Sequence, residues 1–247
     1  MLLVAALAGC DPIYAGSDVL WIATHENGDL TEWNADNEGG SYAGVDSSVA
    51  GAVEVSAENA HSGKYAAKLI RSAVAEESGP GLFRDVRGHG AAYYAAWFLI
   101  PEAYAAGSRW TITKFRLRDT ASIDAPAEGL DLDLRNLPDG DYVLSVFDHD
   151  QEYLQQPIAI PTPIVRAGRW FHLEVFYRSS GDRNGEVIVW LDGSEAYRLN
   201  GHPTVADGAY FTPCNVALEL TPSPAALYVD DAAVSLTRIS PEGLLRR

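Results

Sequence analysis

Sulfur is scarce in this 247-residue chain, which has one methionine and two cysteines, Cys10 and Cys214. Two cysteines exclude a disulfide-stapled scaffold and a cysteine-built zinc site. Basic residues are also few, 18 Lys and Arg against 34 Asp and Glu, for a formal charge of −16. A surface of that sign repels phosphate, so nucleic acid is not an expected partner. No phosphate-cradling glycine loop and no Gly-x-Ser-x-Gly nucleophile elbow occurs. Helical periodicity is nearly missing too, with one short helix-like stretch near Pro101–Ala106. No internal repeat is visible, and no low-complexity linker follows the first residues.

What remains is a succession of strand-like runs. They are Val19–Thr24, Val53–Ser56, Tyr65–Arg71, Ala92–Ile100, Trp110–Leu117, Leu130–Leu134, Tyr142–Phe147, Trp170–Tyr177, Val187–Leu191, Val216–Leu220 and Leu227–Leu236. Each is rich in β-branched and aromatic residues and is bounded by Gly, Pro, Asn or Asp. Asp192-Gly193 and the Asp182–Gly185 stretch read as hairpin-type turns. Many short strands without crossover helices predict an all-β fold, an antiparallel sandwich over residues 19–247 forming a single domain.

Alternation along three strands separates apolar from charged side chains. Phe115 and Leu117 oppose Lys114, Arg116 and Arg118; Leu130, Leu132 and Leu134 oppose Asp131, Asp133 and Arg135. In the third, Phe171, Leu173 and Val175 oppose His172 and Glu174. Antiparallel sheets ordinarily carry such a solvated face, and a ligand-binding face carries the same pattern.

The first ten residues are apolar up to Cys10, and nine such residues are too few for a membrane span, which takes about 20. Leu7-Ala8-Gly9-Cys10 resembles the bacterial lipoprotein lipobox at all four positions. The resemblance implies a signal peptide over 1–9, a lipidated Cys10, a tether over 10–18 and an exported, membrane-anchored protein. No Lys or Arg precedes the apolar run, which points to a start codon further upstream. Asp11 resembles the inner-membrane retention signal of some Gram-negative bacteria. With Cys10 acylated, Cys214 is expected to be a buried apolar thiol; a Cys10–Cys214 disulfide is the competing pairing.

Two segments carry a further resemblance: Thr24–Trp33 with Ala60–Leu69, and Leu227–Ser235 near the C-terminus. They look like the first and last strands of jelly-roll β-sandwiches of the concanavalin-like and carbohydrate-binding-module type. Arg169–Glu174 and Gly185–Gly193 are similar to paired strands of laminin-G-like domains and of heparin-lyase-like polysaccharide lyases. In binding modules of this kind a structural calcium ties the first strand to the last. By position its ligands here would be Glu26, a backbone carbonyl near Ser62 to Lys64, and Asp230 or Asp231. The two aspartates are adjacent, so both can serve only across a bulge.

Glycan binding is the reading these features favour, with Trp110, Lys114, Arg116, Arg118, Asp131, Asp133, Arg135 and Glu174 as contacts and Trp110 and Tyr153 as stacking platforms. The alternative is a lyase cutting a uronate polysaccharide. It needs a cation to neutralise the carboxylate, a base for the C5 proton and an acid for the leaving oxygen. Lys114 and Arg116, with Arg118 and Arg135, would be the neutralisers, His149 or His172 the base, and Tyr153 or Tyr94 the acid. The Gln/His and Tyr-x-Lys signatures of well-known alginate and glucuronan lyases are not found, nor is the laminarinase-like Glu-x-Asp-x-x-Glu. A structural envelope lipoprotein with no ligand is the third possibility.

Overall fold

Antiparallel ladders account for every strand pairing in the computed structural model, which describes residues 18–34, 43–46, 51–71, 80–84, 90–104, 109–118, 129–148, 156–157, 164–204, 210–214, 216–217 and 225–243. The strands are β1 (Val19–Ala23), β2 (Ala43–Asp46), β3 (Gly51–Ser56), β4 (Ala66–Arg71), β5 (Gly81–Arg84) and β6 (Ala91–Leu99). They continue with β7 (Arg109–Arg118), β8 (Gly129–Asn136), β9 (Tyr142–Asp148), β10 (Gln156–Pro157), β11 (Ile164–Val165) and β12 (Phe171–Arg178). The last are β13 (Glu186–Leu191), β14 (Ser194–Asn200), β15 (Tyr210–Cys214), β16 (Val216–Ala217) and β17 (Ala225–Ser235). The one helical turn among the described residues is 3-10 in form, at Thr31–Trp33. The turn expected near Pro101–Ala106 does not appear over residues 101–104; Tyr104 instead carries a hydroxyl that accepts from the Ala226 N–H.

Eight strands form the larger sheet in the order β14-β13-β12-β6-β17-β4-β3, with β1 also on β17. Six form the second, β10-β9-β8-β7-β15 with β11 on β9, and β16-β5-β2 make a small third sheet. Inner-face residues of the two main sheets meet in one core. Phe115 of β7 stacks on Tyr177 of β12 at 4.8 Å and meets Tyr94 of β6 edge-on at 5.3 Å. Leu132, Leu134 and Leu144 join Phe98, Leu173 and Val189 there. Tyr94 is thus a core ring and not an acid facing a ligand. No helix among the described residues is long and apolar enough to cross a membrane.

Strand β17 organises the larger sheet. One of its edges pairs with β6; the other pairs with β4 over Ala225–Val229 and with β1 over Ala232–Ser235. The register against β6 shifts between Asp230 and Ala233, and Asp231 takes a left-handed φ of 47°. This is the bulge that lets two consecutive aspartates serve one region, at the point where β17 changes neighbour.

The outer face of the larger sheet is covered by the segment that follows β17. Ile239 packs with Ala95 and Ala233, beside Ile22 and Trp97. The Arg238 guanidinium lies 4.2 Å above the Trp190 ring. Beneath them is the fully buried Glu174, whose carboxylate accepts from Arg238 Nε and Nη2 at 3.1 and 2.9 Å and from the Ile239 N–H at 2.6 Å. Glu174→Ala is expected to cost about 2–4 kcal/mol, because a buried N–H loses its acceptor and a cavity opens. Arg238→Ala should also cost about 2–4 kcal/mol, since it leaves the buried Glu174 carboxylate without its counter-charge. Urea unfolding of the two variants gives both values, and a loss well under about 1 kcal/mol in either would contradict this account of the strap.

Candidate functional site

The face of the six-stranded sheet turned away from the core gathers Lys114 of β7 with Asp131, Asp133 and Arg135 of β8. Thr111 stands opposite Asp133 in register, and Lys114 opposite Asp131. The Thr111 hydroxyl donates to Asp133 Oδ1 at 2.7 Å, and Ser145 Oγ of β9 donates to the Asp133 carbonyl at 3.5 Å. Lys114 and Asp131 are 6% and 4% exposed, so this pair forms a floor and not a rim. Arg135, opposite Arg109, is half-buried at one end of the same row. Arg116 and Arg118 continue the two-residue spacing from Lys114, their backbones paired with Thr212 and Tyr210 of β15.

A bulge makes this arrangement possible. The β7–β8 register shifts between Thr111 and Thr113, inserting one residue. Strict alternation would put Thr111 and Lys114, three apart, on opposite faces; the insertion brings both against outward aspartates. The backbone of Trp110 pairs in register with that of Leu134. His149, Tyr153 and Cys10 lie outside the described residues.

His172 and Glu174 alternate as expected along β12, but β12 belongs to the larger sheet, and its polar side is that sheet's outer face. They stand on the opposite side of the sandwich from Lys114, so neither joins the same site. Glu174 is engaged by the C-terminal strap as described. His172 is completely buried beside Trp97 at 5.2 Å, and neither ring nitrogen finds a hydrogen-bond partner among the described residues. Burial, reinforced by the neighbouring His61 and Arg238, pushes its pKa down from 6.5 to about 3. A base working near neutrality it is not.

The residues named for calcium do converge, but as acceptors for backbone N–H groups. Where β1 ends and before β4 begins, the chain has N–H groups that the ladder does not take up. Glu32 Oε2 accepts from the N–H groups of Thr24 and His25 at 3.1 and 2.7 Å. Glu26 Oε1 accepts from Lys64 and Tyr65 at 2.8 and 2.9 Å, and a Cβ on Gly63 would come within 2.3 Å of the Glu26 carboxyl carbon. Asp230 Oδ2 accepts from His61 and Ser62 at 2.9 and 3.1 Å, and its Oδ1 accepts from the Asp231 N–H at 2.8 Å. Asp231 is bonded to His61 Nδ1 at 2.9 Å and accepts from the Ser62 hydroxyl at 3.0 Å.

His25 completes the knot. Its Nε2 accepts from the indole N–H of Trp33 at 2.9 Å, which leaves Nδ1 as the protonated nitrogen facing Asp230 Oδ1 at 3.5 Å. Burial pushes the Asp230 carboxyl above its ordinary range. Among the described residues no three His, Cys, Asp or Glu side chains are placed to hold a metal. Calcium takes six to eight oxygen ligands, and several oxygens of these carboxylates here accept from N–H groups.

Two measurements follow from these geometries. EDTA should leave the melting temperature of the purified chain within about 1 °C, because the knot is closed by N–H donors; a fall of about 5 °C or more would restore calcium. Acid should act through His172. Unfolded, its imidazole takes a proton near 6.5; folded, only at about 3. Between those values the unfolded chain binds the extra proton, so stability falls as pH drops from 6.5 toward 3. His172→Leu should flatten that acid limb in melts recorded across the window, and an unaltered slope would refute the buried neutral imidazole.

No protein-family model matches the chain, and no curated protein matches it. Solved structures do. An endo-β-1,4-glucuronan lyase from the fungus Trichoderma reesei superposes with a TM-score of 0.64 at 16% identity, over 89% of this chain and 96% of that one. The cellulose induced protein Cip1 gives 0.53 at 15% identity, over 79% and 92%. The alginate lyase Aly36B gives 0.52 at 12% identity, over 71% and 82%, and a variant of it is known in complex with an alginate trisaccharide. At such identities the likeness is one of fold: this chain shares the β-sandwich architecture of polysaccharide lyases.

Proposed function

We propose that this chain is a lyase that cleaves a uronate-containing polysaccharide by β-elimination on the outer face of the six-stranded sheet. The observation that carries the reading is a local reversal of charge. Strand β7 supplies Arg109, Lys114, Arg116 and Arg118, and β8 adds Arg135 against Asp131 and Asp133. Five cations less two carboxylates give +3 on two adjacent strands of a chain whose formal charge is −16. A positive stripe in a negative protein focuses an anionic polymer onto one place. The fold neighbours, among them a glucuronan lyase and an alginate lyase, support a uronate as that polymer.

In this mechanism Lys114, with Arg116 and Arg118 beside it, faces the sugar carboxylate and stabilises the negative charge that builds as the C5 proton leaves. A base takes that proton, the electron pair becomes the C4–C5 double bond, the C4–O bond breaks, and an acid protonates the leaving oxygen. His149 is proposed as the base and Tyr153 as the acid, on sequence grounds alone; His172 leaves the set because it is buried on the far side. Export and lipidation at Cys10 belong to the same proposal, since they would bring the face to extracellular glycans.

Glycan binding without cleavage is the second reading, and the buried Lys114·Asp131 floor is the observation that favours it, because a polar floor can hold hydroxyls without chemistry. Incubation with glucuronan and alginate, followed by ultraviolet absorbance of unsaturated ends, separates the two. Lyase activity is expected to fall about a hundredfold or more in Lys114→Ala. Product formation that survives Lys114→Ala and His149→Ala together would sink the assignment. Retention of the polymer without product would leave the binding reading in its place.

A further inference from the structure

We propose that Asp131 is the positioning residue of Lys114, holding the ammonium charged and fixed at the floor of the site. This rests on the reading of that face as the glycan site. Strand β8 offers two outward carboxylates, and the structure treats them differently. Asp133 is anchored by the neutral Thr111 hydroxyl at 2.7 Å. Asp131 stands directly opposite a cation, Lys114, and both are almost wholly buried. Residues paired across antiparallel strands have Cβ atoms about 5 Å apart, within easy reach of these two side chains. A lysine withdrawn from water to this degree needs a matched charge, or it gives up its proton.

The β7 bulge supplies the second observation. It inserts its extra residue, Ile112, between Thr111 and Thr113, two positions before Lys114. Without that insertion the run from Thr111 could not place both Thr111 and Lys114 against the β8 aspartates. Bulges re-aim side chains beside functional sites, and here the re-aimed side chain is the lysine. The division of labour is then specific: Asp133 fixes the strand, while Asp131 fixes the charge that meets the substrate carboxylate. Because Asp131 acts through Lys114, its removal should weaken the transition state more than the ground state.

The test uses the purified chain and two readouts. In Asp131→Asn, labelling of Lys114 by an amine-selective reagent, followed by mass spectrometry at neutral pH, should rise about tenfold as the counter-charge is lost. Asp133→Asn should leave the labelling near the original rate. On glucuronan, Asp131→Asn should lower kcat more than it raises KM. Asp131→Glu, which keeps the charge and lengthens the arm, should keep Lys114 protected from the reagent while lowering kcat. Unchanged Lys114 labelling in folded Asp131→Asn, or an equal rise in Asp133→Asn, would overturn the proposal. If Asp131→Asn does not fold, an Asp131→Glu variant with Lys114 as exposed to the reagent as in free lysine overturns it instead. A chain that releases no unsaturated product from either polymer defeats the lyase reading, while the labelling result still decides the pairing.

Discussion

The junction at Asp230 and Asp231 is where the larger sheet is tied together. Strand β17 changes neighbour there, from β4 to β1, and a ladder that changes neighbour leaves N–H groups of both flanking loops without strand partners. Buried N–H groups must be satisfied. Asp230 reaches the loop before β4, Glu26 reaches further along it from the loop after β1, and Glu32 folds back on the end of β1 itself. The bulge and the left-handed Asp231 let consecutive carboxylates work on one side of the strand. His25, fixed by Trp33, then closes the network from the far end of the sequence.

Each outer face of the sandwich meets a different fate. On the larger sheet the residues after β17 fold back as a strap, and Glu174 and Ile239 make the polar and apolar halves of its attachment. That face is spent on stability, which is why its histidine is neutral and sequestered. On the six-stranded sheet the outer face carries Lys114 opposite Asp131 and Thr111 opposite Asp133, with Arg135 beside them. Charge is costly to bury, and on this face a buried lysine stands opposite a buried aspartate on adjacent strands. The proposed chemistry belongs to that face.

Much of the architecture was legible because strand alternation is a local property. Leu130, Leu132 and Leu134 point inward and Asp131 and Asp133 outward, as their period-two spacing requires. Asp192-Gly193 forms its two-residue turn with positive φ at both positions. Strands β2, β5, β10, β11, β14 and β15 carry no such signal, being short or polar: Ser194–Asn200 is mostly polar and Ala43–Asp46 has only one large apolar residue. The β7 bulge likewise leaves no mark in composition. The convergence of Glu26, Ser62, Lys64, Asp230 and Asp231 was legible as a place, but the partners of their oxygens were not, because backbone N–H groups are invisible in a list of side chains.

By itself the sequence determined the all-β class, the inward and outward faces of its main strands and the concentration of basic residues on β7. These follow from residue spacing along single strands, and spacing is what a sequence contains. Only the tertiary structure decided which sheet each strand joins. That choice put His172 and Glu174 behind the sandwich, Lys114 across from Asp131, and the calcium-like carboxylates in the service of orphaned N–H groups. Sheet membership depends on long-range pairing and on bulges that shift register by one residue, and a one-residue shift is enough to send a side chain to the opposite face.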